Sequence, residues 1–177
     1  MIGQDDAVTA LESIERTRQR AFELRGYAHA GDIVIGWGLV WLVANLASYA
    51  APQGSLAWPV GIVLATLWSI WRGRRGHGKG DWRAWATAAA IVALLVLVFS
   101  IAGIETPQQG NALISIFVAA GYVMQGIWWG RRFAWIGLVI AGCVTAGWFF
   151  DRPHLELWLG IGGGGALILS GLWLRRA

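Results

Sequence analysis

No ionised residue interrupts the chain from Ile33 to Trp71, from Thr106 to Gly130, or from Phe133 to Phe150. These runs are apolar all round rather than striped at helical period, the pattern of a helix with no water-facing side. Crossing a bilayer core of about 30 Å takes roughly 20 such residues. The pattern predicts an all-α integral membrane protein with spans at about 32–50, 55–72, 83–103, 111–129, 133–150 and 156–174. The second is short, about 27 Å, so it is expected to stand nearly upright. Residues 1–31 differ in kind. Ala7 to Leu24 contains no Pro or Gly, and Val8, Leu11, Ile14, Ala21 and Phe22 recur at helical spacing opposite Glu12, Glu15, Arg16, Arg18, Arg20 and Glu23. This is an amphipathic cytosolic leader, lying on the membrane surface or against the bundle, with Gly26 and Gly31 expected to let the chain turn into the membrane domain, 32–177.

The span ends repeat. A turn proline stands at Pro52, Pro107 and Pro153, and an aromatic-plus-arginine ending at Trp71–Arg75, Trp128–Arg132 and Trp173–Arg176. From proline to last arginine the intervals are 23, 25 and 23 residues (75 − 52, 132 − 107, 176 − 153). The expectation is three consecutive hairpins of the same sense, which are parallel repeats about an axis along the membrane normal.

Composition agrees and excludes a soluble globular domain: the chain is 56% hydrophobic and 14% charged, where about a quarter charged is usual. Of the 14 Lys and Arg, only Arg152 falls on the far side of a six-span arrangement. Basic residues in short loops mark the cytoplasmic face, so both termini are expected there, in a cell inner membrane. The basic charge is thus accounted for by topology and not by nucleic acid. Tryptophans cluster near span ends as an interfacial belt. The first apolar run begins only after Asp32, so it reads as a signal anchor, not a cleaved leader. Cys143 is the only cysteine, which excludes an intrachain disulfide and a thiolate metal site.

Candidate chemistry is sparse. Asn45, Tyr122 and Gln125 are polar groups within spans, read as interhelical hydrogen bonds or the lining of a pathway. Asn45 lies about 20 Å from Asp32 and Gln125 about 9 Å from the arginine end, too different in depth to pair. Asp32 reads as an N-cap of the first span. Gly126, Gly130, Gly160, Gly162, Gly163, Gly164 and Gly165 let helices approach closely, the run of four also reading as a hinge or cavity wall. Asp151, His154 and Glu156 form a possible pH-responsive external cluster, because His titrates near neutrality. Gly73–Gly80 meets the Gly, four residues, Gly-Lys spacing of a phosphate loop, but Gly80 replaces the Ser or Thr and spans flank it; it reads as a flexible basic loop. No catalytic, metal or cofactor motif is found.

The hairpin with a prolyl external turn and a return ending in Arg resembles the HdeD-like bacterial membrane proteins, on Pro52, Pro107, Pro153, Gly126, Gly171 and the closing arginines. The resemblance implies a six-span inner-membrane protein associated with acid resistance, and no catalytic residues. The expected function is non-enzymatic, regulatory, stress-related or accessory, through a homo-oligomer or membrane-protein partner in the lipid bilayer. The alternative is a passive channel or carrier for a small solute between the hairpins.

Overall fold

A computed structural model describes residues 4–76 and 82–176. The second half of the basic loop, residues 77–80, therefore lies outside the described residues. Within them the chain is 94% helical with no strand. The helices are α1 (Gln4–Ala50), α2 (Ala57–Gly76), α3 (Trp82–Ala102), α4 (Pro107–Trp129) and α5 (Arg131–Phe150), followed by a composite terminal helix. That last helix is α-helical at α6 (Leu155–Leu157), π-helical at Trp158–Gly164 and α-helical again at α7 (Gly165–Arg175). Among the described residues, five segments are long and apolar enough to cross a membrane: Ala30–Ala50, Pro52–Arg72, Pro107–Trp128, Arg131–Phe150 and Arg152–Arg175. In α3 the described apolar stretch, Ala89–Ala102, is shorter. Large apolar side chains such as Val43, Leu67, Trp128, Leu138, Phe149 and Leu169 stand exposed around the bundle. Helices that carry apolar groups on their outer faces as well as toward a core are those whose solvent is lipid.

The leader and the first span are one helix. α1 runs 47 residues without a break through Gly26 and Gly31, about 70 Å of helix, where the sequence suggested a turn. Gly31 serves a different purpose: a Cβ there would lie 2.7 Å from the Gly171 carbonyl oxygen. For the same reason Asp32 is not an N-cap, since it lies deep inside a helix.

α1 and the terminal helix form an antiparallel seam along which small residues meet backbone. Gly31 faces Gly171, Gly38 faces Leu167 and Ile168, Leu42 faces Gly164, and Asn45 faces Gly160. On the other side the terminal helix packs on α5, and α5 on α4. The core between these four is filled by Trp41, Phe133, Ile136, Ile140, Val144, Leu155, Leu159, Leu167 and Leu174. Among the described residues, α2 rests mainly on α1, and α3 stands at the edge with no extensive contact. The closest-packed neighbours in sequence are thus α4 and α5, which belong to different hairpins of the proposed repeat, whereas α3 and α4, one hairpin, barely touch.

The α4–α5 contact depends on its connector. Gly130 alone joins the two helices, at φ +123°, a region that residues with a Cβ rarely adopt. It therefore closes the turn and is not part of the helix face containing Gly126. Above it, Gly126 lies against Ala134, and Gly137 against the Ala119 carbonyl and Val123. At the other end of α4, Thr106 Oγ1 accepts from the Gln109 amide at 3.2 Å with Pro107 in the first turn, a regular helix start.

Candidate functional site

Three polar sites stand out, two at opposite ends of the bundle and one within it. The first is inside. The Asn45 side chain is fully buried; its Nδ2 donates to the Trp41 carbonyl at 2.9 Å, and its Oδ1 accepts from Asn111 Nδ2 at 2.7 Å. Asn111 lies in the first turns of α4, and one turn on, buried Ser115 donates to the Asn111 carbonyl at 2.7 Å. The Asn111–Asn45 bond ties α1 to α4 directly. Trp41, Asn45 and Ser48 share one face of α1. Trp41 Nε1 and Ser48 Oγ are buried without a hydrogen-bond partner, and Trp41 packs edge-on against Trp58 with ring centroids 5.8 Å apart.

The glycine run lies alongside, Gly162 to Gly164 in the π-helical segment and Gly165 at the start of α7. Such a segment widens the helix and is frequent at functional sites. Its glycines do not share one role. A Cβ at Gly164 would come within 2.8 Å of the Leu42 amide, at Gly162 within 2.8 Å of Cys143 Sγ, and at Gly160 within 3.1 Å of Asn45 Cβ. At Gly163 it would make ordinary contact with Trp41 Nε1, at 3.7 Å, and at Gly165 it would meet nothing.

The second site is ionic. Asp32 of α1 is paired with Arg72 of α2, and with Arg175 Nε of α7 at 3.3 Å. One carboxylate of α1 thereby holds the arginine-bearing ends of α2 and α7, and Asp32 is the most covered member. Nearby, Arg132 donates to the Trp173 carbonyl at 3.1 Å and lies over its ring at 4.7 Å. From the Asp32 cluster a cavity of about 360 Å³ runs between α1, α2 and α7, lined by Asp32, Arg175, Leu39, Val40, Leu64 and Trp68 among others.

The third site is the turn before the terminal helix. His154 Nδ1 lies 2.7 Å from Asp151 Oδ1, and Trp158 Nε1 donates to Asp151 Oδ2 at 3.3 Å. These two hydrogen bonds, that of His154 first, hold the Asp151 carboxyl below its usual range. Arg152 lies over Trp148 at 4.0 Å, and Tyr49 of α1 approaches the His154 ring at 5.9 Å.

Of the residues singled out from sequence, Asp151 and His154 are together, while Glu156 has no hydrogen bond to them. Asn45 is joined to neither Tyr122 nor Gln125. Tyr122 stacks on Phe133 with centroids 6.5 Å apart, and Gln125 is exposed on the outside of α4. Asn111, Arg72 and Arg175 are the partners that sequence reasoning missed. Depth would have found them. Asn45 and Asn111 each lie roughly a turn and a half from the prolyl end of their apolar span, and Asp32, Arg72 and Arg175 each stand at the other end of theirs. Compared with protein-family models, curated proteins and solved structures, the chain matches none, so the resemblance to HdeD-like proteins rests on the quoted prolines, glycines and arginines alone.

Proposed function

We propose that this chain is a six-span inner-membrane protein without catalytic activity, both termini cytoplasmic, that acts as a regulatory or accessory component through protein partners in the bilayer. α3, 21 residues long, supplies the sixth span, and the arginine-rich ends mark the cytoplasmic side by the positive-inside rule. One observation carries the reading: the buried Asn45 side-chain amide is spent on fastening helices together. Asn45 binds Asn111 across α1 and α4, and Ile136, Ile140, Leu155, Leu159 and Leu167 fill the space between the other helices. An interior of this kind makes a scaffold. Cross-linking in native membranes followed by mass spectrometry tests it. A partner or second copy recovered reproducibly supports the proposal; recovery of the monomer alone refutes it.

A second reading, a passive pathway for a small neutral solute, is favoured by the two unpartnered groups Trp41 Nε1 and Ser48 Oγ beside the π-helical segment. Flux through reconstituted protein decides between them. On the pathway reading Asn45→Leu reduces flux; on the scaffold reading no solute crosses and the same variant only loses stability.

A further inference from the structure

We infer that the groove between α1, α2 and α7 binds one anionic phospholipid, its phosphate on Arg175 and an acyl chain along Leu39, Val40, Leu64 and Trp68. The inference rests on the groove lying in a bilayer and is independent of whether a protein partner exists.

Among the described residues the charge at the rim is not balanced. Asp32 supplies one carboxylate to two guanidiniums. Arg175 meets it through Nε and is half-exposed, which leaves its two terminal nitrogens as a fork suited to phosphate oxygens. Asp32 holds Arg175 at the mouth, so its position is set before a ligand arrives. Away from the mouth the lining turns apolar within a short distance: Asp32 to Val40 is about 12 Å along α1, and the far wall is Leu64, Ala65 and Trp68. A cavity of about 360 Å³ is of ligand-binding size. Its walls include Leu39, Leu64 and Trp68, all substantially exposed on the outer face of the bundle, so it is entered sideways, from lipid. An anionic head with an apolar tail fits both halves of this site. A free phosphate uses only the rim, and a neutral amphiphile only the wall.

The test uses the full chain in a neutral detergent, with phosphatidylglycerol, phosphatidylcholine or inorganic phosphate added. Bound lipid is read by native mass spectrometry and the thermal midpoint by tryptophan fluorescence. The expected result is one retained phosphatidylglycerol per chain, roughly fivefold over phosphatidylcholine, the preference one basic contact confers, with a raised midpoint that inorganic phosphate does not reproduce. Arg175→Gln should abolish the preference. Leu64→Trp, which fills the groove and leaves the ionic cluster intact, should reduce retention of both lipids, and Arg176→Gln should change neither. Equal retention of the two lipids, stabilisation by phosphate alone, or full retention in Leu64→Trp overturns the inference.

Discussion

At the scale of single residues, the same amino acid does opposite things one position apart. Gly164 and Gly165 are neighbours in a run of four, yet a methyl group at Gly164 would meet the α1 backbone and one at Gly165 would meet open space. Gly164→Ala is therefore expected to destabilise the bundle by about 1–3 kcal/mol through overpacking, while Gly165→Ala is neutral or slightly stabilising; unfolding in detergent measures both. Equal effects would show that the run acts as a hinge rather than through one packed face. The titration of Asp151 is also set residue by residue. Its folded-state value lies below the ordinary 3.8 because His154 and Trp158 hydrogen-bond its carboxylate. A depressed carboxyl contributes stability above its unfolded value and loses it as pH falls through the lower folded one. The turn should therefore keep its Asp151 contacts from neutral pH down to 3.8 and release them only below. The carboxyl resonance of Asp151 followed by NMR should show a midpoint under 3.8 that rises in His154→Ala. Asn45 was legible as a buried polar group in an apolar run; its bond to Asn111 was not, because two amides on helices 66 residues apart are joined only by depth and rotation.

At the scale of helices, the informative departure is α1. Gly26 and Gly31 looked like breaks because glycine costs an isolated helix about 1 kcal/mol in water. Helices in a bundle draw most of their stability from packing, and at Gly31 the absent side chain is what admits α7. The ionic cluster has the same logic. Asp32 lies on one helix, but it secures the ends of α2 and α7. Asp32→Asn should lower stability by about 1.5–3 kcal/mol, the worth of hydrogen bonds to charged groups. Unfolding of the variant, and of Asp32→Asn combined with Arg72→Gln, tests this. The double variant should lose less than the sum of the single ones, and additive losses would mean that the pair does not interact.

For the whole molecule, the arrangement joins the chain's beginning to its end: α1 and the terminal helix are the central pair, with α2 outside one and α5 and α4 outside the other. Paired cysteines at positions 45 and 111 should therefore join through a short cross-linker in membranes, and a pair at 45 and 125 should not. Efficient coupling of 45 to 125 would require a different helix order. The sequence by itself determined that the chain is helical and has several apolar segments of membrane-spanning length, since these follow from counting residues against a bilayer thickness. Which helices touch was decided by tertiary structure. The outer faces of these helices are as apolar as the inner ones, so hydrophobicity does not say which side turns inward. That choice falls to close backbone approach at Gly31, Gly38, Gly164 and Gly171 and to a few polar contacts, and these exist only once two helices meet at the right depth.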